Sequence, residues 1–459
     1  MGRKLASRVF PGLLTLLGVL VFNLATAEVA RAQNAFGGVQ IDAEGVLRVS
    51  WYDQTGTLHK QRLAQARAAL DRDVAQVSKL RKISLTRLEA AIAKRLDENS
   101  QPTETMHRLA GLTRVKYVFY YPETKDIVIA GPAEGWVEDP SGRFVGMHSG
   151  RPTILLEDLV VALRTFAPGN PSDRQISCSI DPTQEGLAAM QNVQRTTSVN
   201  TPADVPVIAR KMRDALGLQV VSINGISADT HFAQVLVEAD YRMKLIGIGL
   251  ERPPVKMTTV ISKARPGSAD ANGLQRLYFV PDYECVRLSE DGLAMELVGQ
   301  GVKLVSELEA VGQDGTRRAT RETNRAAQAY CRAFTKKYAK IASVAPVYAQ
   351  LRNNIDLAIA AAHIHAQDYH SQADWQMATF GDESRFAVET YSTPQHVETV
   401  VNVVKKGNSY LTPIGGGVDI RPAMALDSNN VLEDSKGETA AARTAIDLSE
   451  LDADSWWWD

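Results

Sequence analysis

The sequence is poor in cysteine and carries almost no net charge, and each of these absences excludes a class of protein. Only three of its 459 residues are cysteine, too few for a disulfide scaffold. This odd number allows one disulfide and one free thiol, or three buried thiols. The net charge is −2 at pH 7, so we expect no global attraction to nucleic acid or to acidic membranes.

Familiar catalytic signatures are also missing. The sequence contains no H-E-x-x-H, G-x-S-x-G, P-loop or EF-hand pattern, so the commonest zinc-protease, serine-hydrolase, nucleotide and calcium sites are not indicated. We therefore predict no cofactor, and a bound transition metal stays open as the alternative.

The first 32 residues have the order of a secretory signal peptide. A basic N-terminus precedes an apolar run from Leu13 to Leu24, and two small-residue cleavage sites follow, at 25–27 and 30–32. The run is shorter than the ~20 residues of a spanning helix, which disfavours the alternative of an uncleaved anchor. We expect an exported protein of the periplasm or cell surface, with no stable membrane span after cleavage.

The remaining sequence predicts a multi-domain α+β protein. Residues 33–170 combine strands, glycine turns and helices in an N-terminal α+β domain. Residues 171–252 alternate strands and helices, which is typical of a small α/β unit. Residues 253–425 are β-rich and contain a helical hairpin at 317–370. Residues 426–459 form an acidic tail with few large apolar residues before its end, so we expect it to be disordered.

A helix predicted at 230–247 mixes charge with two apolar faces. At ~100° per residue its apolar side chains form stripes on opposite sides, as in a helix packed between two layers. Glu238 and Asp240 each precede a basic residue by four positions, so ion pairs at the margins of the helix are expected. The alternative is a catalytic site, in which Glu238 or Asp240 is buried beside His231 and acts as a general base.

A histidine-rich segment supplies the candidate metal site. If the second hairpin helix continues to residue 374, His363, His370 and Asp374 share one stripe and can hold zinc or another transition metal. The i,i+7 spacing of the histidines is loose beside the i,i+4 spacing of H-E-x-x-H. A structural or surface role is therefore favoured.

Two further features are candidate contact sites for a partner. The first hairpin helix has a basic face, which suits the acidic tail or an anionic polymer; a plain solvated face is the alternative. The chain also ends in three adjacent tryptophans, which can dock on the body or bind an envelope protein. The residues of these two sites are Arg318, Arg321, Arg325, Arg332 and Lys336, and Trp456, Trp457 and Trp458.

Four segments carry a resemblance to a known family: SCSIDPTQEGLAAMQ, HFAQVLVEADYRMKLIGIGLE, LYFVPDYECVRLSEDGLAMELVGQGVKL and TPIGGGVDI. They span residues 177–420, and together they resemble uncharacterised exported proteins of planctomycete bacteria, the DUF1598 family. That family has no established activity, so the resemblance implies no catalytic residues. It implies a Gram-negative-like envelope, in agreement with the signal peptide.

These observations favour a non-enzymatic envelope protein that binds or scaffolds other molecules. The alternative is a hydrolase or metal-dependent enzyme of unrecognised type. It would use His231, Glu238 and Asp240, or the histidine stripe.

Overall fold

The fold combines two large β-sheets and one small sheet with helices. The computed structural model describes residues 36–198, 201, 204–263, 273–320, 324–399, 414–445, 448, 451–452 and 454–459, and the predicted signal peptide lies outside them. The strands are β1 (Phe36–Ile41), β2 (Val46–Tyr52), β3 (Ser78–Ser84), β4 (Tyr117–Tyr121), β5 (Asp126–Ala133), β6 (Trp136–Glu138), β7 (Phe144–Gly146), β8 (Ile176–Pro182), β9 (Gln219–Asn224), β10 (Gly273–Pro281), β11 (Val286–Leu288), β12 (Ala294–Leu297), β13 (Val302–Val311), β14 (Arg317–Ala319), β15 (His396–Val397), β16 (Ile414–Ile420), β17 (Leu432–Glu433) and β18 (Trp457–Trp458).

The helices range from single turns to one of 21 residues. They are α1 (Thr57–Ala69), α2 (Arg72–Ala75), α3 (Leu85–Asp97), α4 (Glu104–His107), α5 (Leu156–Thr165), α6 (Gln184–Thr196), α7 (Asp204–Leu216), α8 (His231–Gly247), α9 (Val260–Lys263), α10 (Arg325–Lys336), α11 (Tyr338–Val344), α12 (Pro346–Ala366), α13 (Tyr369–Gln372), α14 (Pro422–Ala425) and α15 (Glu438–Thr444). Within the described ranges, no helix combines the length and the apolar character needed to cross a bilayer.

Each large sheet collects strands from distant parts of the sequence. The nine-stranded sheet has the order β1-β2-β15-β9-β8-β16-β10-β13-β14, and the seven-stranded sheet has the order β17-β11-β12-β4-β5-β3-β18. Both mix parallel and antiparallel pairs, so the predicted α+β class is confirmed. The boundaries expected at 170 and 252 do not coincide with separate sheets, because each sheet takes strands from both sides of them.

The predicted central helix is α8, and it lies between two layers. Strands β8 and β9 pair antiparallel within the nine-stranded sheet, and helices α6 and α7 connect them in the sequence. Helix α8 follows, and it packs on β8, β10 and β16 on one side and on α5 and α12 on the other. Its two apolar faces therefore meet the nine-stranded sheet and a helical layer.

The glycine run of β16 is required by close packing within the sheet. Gly416 has φ of +137°, a backbone region that favours glycine, and a Cβ atom there would overlap the carbonyl oxygen of Leu277 on β10. A Cβ atom on Gly417 would overlap the carbonyl oxygen of Cys178 on β8. Glycine lets β16 lie between these two strands.

The predicted first arm of the helical hairpin begins later than residue 317. Residues Arg317–Ala319 form β14, which pairs antiparallel with β13 and is fixed there by a salt bridge from Arg317 to Glu309 (2.6 Å). Helix α10 starts only at Arg325, because the Asn324 side chain accepts hydrogen bonds from the first free backbone N–H groups. The helical hairpin is therefore shorter than expected and begins after a strand.

All three cysteines are free and buried. Of the two alternatives left by the sequence, the structure has three thiols and no disulfide. Burial raises the pKa of Cys285 and Cys331 to about 12 each. Thiols with such pKa values stay protonated at neutral pH and are poor nucleophiles.

Candidate functional site

Helix α8 carries charged side chains that are almost completely removed from solvent. Thr230 caps the helix, because its hydroxyl accepts a hydrogen bond from the backbone N–H of Ala233 (3.2 Å) and makes His231 the first helical residue. The sequence predicted these ion pairs at the margins of the helix, and the two packed layers bury them. The charged side chains are Glu238, Asp240, Arg242 and Lys244, each at most 6% exposed.

Asp240 and Lys244 form an ion pair against the nine-stranded sheet. The Lys244 Nζ atom lies 2.8 Å from Asp240 Oδ2 and donates to the carbonyl oxygen of Ile180 on β8 at 3.0 Å. Burial raises the pKa of Asp240 to about 6, although Lys244 opposes that shift. The pair joins the helix to the sheet, and it does not contact His231.

Glu238 is held by two guanidinium groups. Arg143 donates to Oε2 of Glu238, and Arg242 Nη1 donates to Oε1 at 3.1 Å. Arg242 also pairs with Glu251 at 2.8 Å and lies over the ring of Trp51, 5.3 Å from its centre. Both oxygens of Glu238 therefore already accept hydrogen bonds from arginines, and this carboxylate is held in place between them.

A chain of hydrogen bonds connects Glu238 to His231. Arg143 Nε donates to Gln350 Oε1 (2.8 Å), which directs the amide nitrogen of Gln350 toward His231 Nε2 (3.2 Å). The Gln350 amide therefore donates to Nε2, and this assignment places the proton of the neutral imidazole on Nδ1. His231 Nδ1 in turn lies 2.8 Å from Asp158 Oδ2, to which it donates.

A second carboxylate and a tyrosine lie beside this histidine. Burial and the neighbouring Asp158 raise the pKa of Glu157 to about 7. The Tyr391 hydroxyl donates to Glu157 Oε1 at 3.0 Å, and its ring centre lies 5.7 Å from that of His231. Burial lowers the pKa of His231, but the Asp158 carboxylate outweighs burial and leaves that pKa above its ordinary value.

This group can exchange protons near neutral pH. A histidine oriented by a carboxylate is the usual general base of hydrolytic sites, and the pKa of the neighbouring Glu157 is about 7. In the described residues, however, the hydrogen-bond partners of His231 are Asp158 and Gln350, and neither is a nucleophile.

Sequence reasoning found His231 and missed the residues around it. Asp158 and Glu157 lie in the first turn of α5, a helix whose other residues are mostly apolar and buried. Two adjacent acids at the start of an apolar helix are a visible signal, because the helix dipole stabilises carboxylates there. Arg143, Gln350 and Tyr391 give no comparable local signal.

The predicted metal stripe does not form, because helix α12 ends between His363 and His370. Helix α12 stops at Ala366, and Asp368 adopts a left-handed backbone with φ of 53°. His363 is 1% exposed with no hydrogen bond to either ring nitrogen, His370 stacks on Trp375, and the Asp374 side chain is 78% exposed. The part of the chain that the structure describes contains no group of three or more His, Cys, Asp or Glu able to hold a metal.

The predicted basic face is also reduced. Arg318 lies on β14 instead of a helix, and Arg321 lies outside the described residues. The remaining members, Arg325, Arg332 and Lys336, are exposed on α10. Their spacing of seven and four residues places them on one face.

The acidic tail has ordered structure where disorder was expected. Helix α15 and strands β17 and β18 form within it, and β18 pairs antiparallel with β3, with Trp457 opposite Ile83. Trp456 is buried at 8% exposure. The prediction of disorder rested on composition, and composition does not show whether a sheet edge is free to pair with another strand.

A buried arginine fixes the end of this tail. The Arg81 side chain is fully buried, pairs with both carboxylate oxygens of Asp459 at 2.8 Å, and lies over the Trp457 ring at 4.6 Å. It also donates to backbone carbonyls of Val74 and Ala110. The tryptophans therefore dock on the protein's own seven-stranded sheet, one of the two roles that the sequence allowed.

Comparison with known protein families gives one match. Residues 178–259 match the model of a family described as a protein of unknown function, DUF1598. The matched region begins in β8, contains α6, α7 and β9, and ends after α8. No curated protein and no solved structure matches the chain. The match contains His231, Glu238 and Asp240, and it brings no activity for them.

Proposed function

We propose that this protein is an exported, non-enzymatic component of the cell envelope that binds or scaffolds other envelope molecules. One observation carries the proposal: the carboxylates considered as catalytic bases serve as packing ions, Glu238 between two arginines and Asp240 against Lys244. Export, in a planctomycete-like envelope, rests on the signal-peptide pattern of residues 1–32 and on the resemblance of the sequence.

The proposed contact surface is the basic face of α10. Arg325, Arg332 and Lys336 are exposed on this face. Clustered positive charge attracts an anionic polymer or an acidic protein segment. We therefore propose an anionic polymer of the envelope as the partner.

Binding to immobilised dextran sulfate tests this proposal, with neutral dextran as the reference surface. We expect residues 33–459 to bind in low salt, and replacement of Arg325, Arg332 and Lys336 by glutamine to weaken binding about tenfold, since three favourable charge contacts are lost. The matched control replaces three exposed bases of α7 by glutamine: Arg210, Lys211 and Arg213. Equal weakening in both variants, or no binding at all, would contradict the proposed surface.

The Asp158–His231 pair supports a second candidate function, a hydrolase of unrecognised type. Its geometry, with Nδ1 on the carboxylate at 2.8 Å, is that of an oriented general base. Turnover of 4-nitrophenyl acetate by the wild type and by His231→Gln separates the two candidates. A rate that depends on His231 supports the hydrolase, and rates equal to the background in both proteins support the binding role.

A further inference from the structure

Two arginines, Arg114 and Arg352, lie next to the buried carboxylate of Asp356 on α12. Arg352 and Asp356 lie one turn apart on this helix, and Arg114 approaches them from the segment before β4. Arg114 Nε lies 3.0 Å from Asp356 Oδ2, and its Nη1 donates to the carbonyl oxygen of Gly299 at 3.4 Å. The pair of Arg114 and Asp356 is the only salt bridge to Asp356 among the described residues.

Several polar atoms of this cluster are buried without a partner. Arg352 is 7% exposed, and its Nε atom has no hydrogen bond. Nη2 of Arg114 and Oδ1 of Asp356 are likewise buried and unpaired. Buried polar groups are normally satisfied, and an unpaired charged group is among the most costly exceptions. The cluster therefore has two free donors and one free acceptor.

The charges do not balance either. The charges of Arg114 and of the exposed Arg151 act on Arg352, and the carboxylate that opposes them there is Asp356. Burial and the positive charge of Arg114 lower the pKa of Arg352, and Arg151 lowers it further. At Arg352, therefore, the positive charges of Arg114 and Arg151 outnumber the single negative charge of Asp356.

The loop between β12 and β13 packs against the cluster at Gly301 and is open to solvent at Gly299. Gly301 lies against it: a Cβ atom there would be 3.3 Å from Asp356 Oδ1 and 3.4 Å from Arg352 Cγ. Gly299 is exposed, and a Cβ atom on it would meet nothing within 4 Å. Open space thus lies next to the group that Arg114 contacts.

We propose that Arg114, Arg352 and Asp356 form a binding site for hydrogenphosphate, to which the exposed Arg151 adds attracting positive charge. Its negative oxygens would accept from the free guanidinium donors, as oxyanions do from arginine forks. Its remaining P–OH group would donate to Oδ1 of Asp356, the free acceptor. Sulfate has the same shape but no hydroxyl at neutral pH, so it leaves that acceptor unpaired and binds more weakly. The site does not depend on the envelope role proposed above.

Calorimetric titration with sodium phosphate at pH 7.5, at constant ionic strength, tests the site in residues 33–459. We expect one phosphate per chain and an affinity for sulfate lower by about tenfold, the usual consequence of an unpaired buried acceptor. Arg352→Met should weaken phosphate binding by about tenfold or more, because it removes a buried charged donor. Arg210→Met, which removes an exposed arginine of α7, should bind phosphate like the wild type.

A second variant keeps the test decisive if Arg352→Met does not fold. Arg151 is exposed, so Arg151→Met should leave the fold intact and weaken phosphate binding several-fold by removing one attracting charge. The absence of saturable phosphate binding to the wild type overturns the proposal. An affinity for phosphate that stays unchanged in every folded variant of Arg352 and Arg151 also overturns it. If sulfate binds as tightly as phosphate, the role of Asp356 is overturned.

Discussion

Replacing His363 by leucine tests whether this residue is an uncharged core histidine. His363 is 1% exposed, neither ring nitrogen has a partner, and burial lowers its pKa from 6.5 to about 4. The unfolded chain therefore binds more protons than the folded protein between these two pKa values. It follows that the free energy of unfolding falls as the pH is lowered through this window, and the two pKa values give a loss of about 2 kcal/mol between pH 7 and pH 5.

Urea denaturation of the wild type and His363→Leu at pH 7 and pH 5 measures this loss. Between pH 7 and pH 5 the wild type should lose about 2 kcal/mol that the variant does not lose, because leucine takes up no proton. The difference in the free energy of unfolding, variant minus wild type, should therefore rise by about 2 kcal/mol. His365→Leu, two positions along the same helix with a half-buried side chain, controls for the removal of a histidine. Parallel pH dependence in the wild type and His363→Leu would refute the reasoning. Tight binding of one zinc ion, lost in the variant, would restore the metal hypothesis.

Four other substitutions test the packing described above, each by urea denaturation. Trp456→Ala should lower the free energy of unfolding by about 3 kcal/mol, and a loss below 1 kcal/mol would mean that the tail is undocked in solution. Gly417→Ala should lower the free energy of unfolding by at least about 1–3 kcal/mol, because the new methyl group overlaps β8. An unchanged free energy of unfolding would contradict the close strand packing. Glu238→Gln should cost about 3 kcal/mol by leaving buried arginines short of an anion, and an unchanged midpoint would argue against its burial. Lys244→Met leaves Asp240 without its cation, so that the raised pKa of Asp240 rises further. The variant should then lose more stability at pH 8 than at pH 5, and an equal loss would speak against the pair.

The sequence predicts α8 well because everything that defines this helix is local. The cap, the apolar period and the i,i+4 ion pairs lie within residues 230–247, and all three are present in the structure. The histidine stripe fails for an equally local reason that the pattern does not show. Asp368 turns to a left-handed backbone, and the helical period ends before His370.

The surroundings of His231 could not be predicted, because they assemble over long sequence separations. Asp158 is 73 residues from His231, and Gln350 is 119 residues from it. A single sequence gives the spacing within an element, and it does not report which element packs against which. The buried position of Arg352 escaped notice for the same reason, since arginine is normally an exposed residue.

The docked end of the chain protects an edge of the seven-stranded sheet. Strand β18 is the last strand of the seven-stranded sheet, and it covers the edge that β3 would otherwise expose. If a protease cuts between Thr444 and Trp456 and the fragment dissociates, the N–H and C=O groups of that edge become a template for pairing with another copy. We therefore expect clipped protein to aggregate through β3 under conditions in which the intact chain stays dispersed.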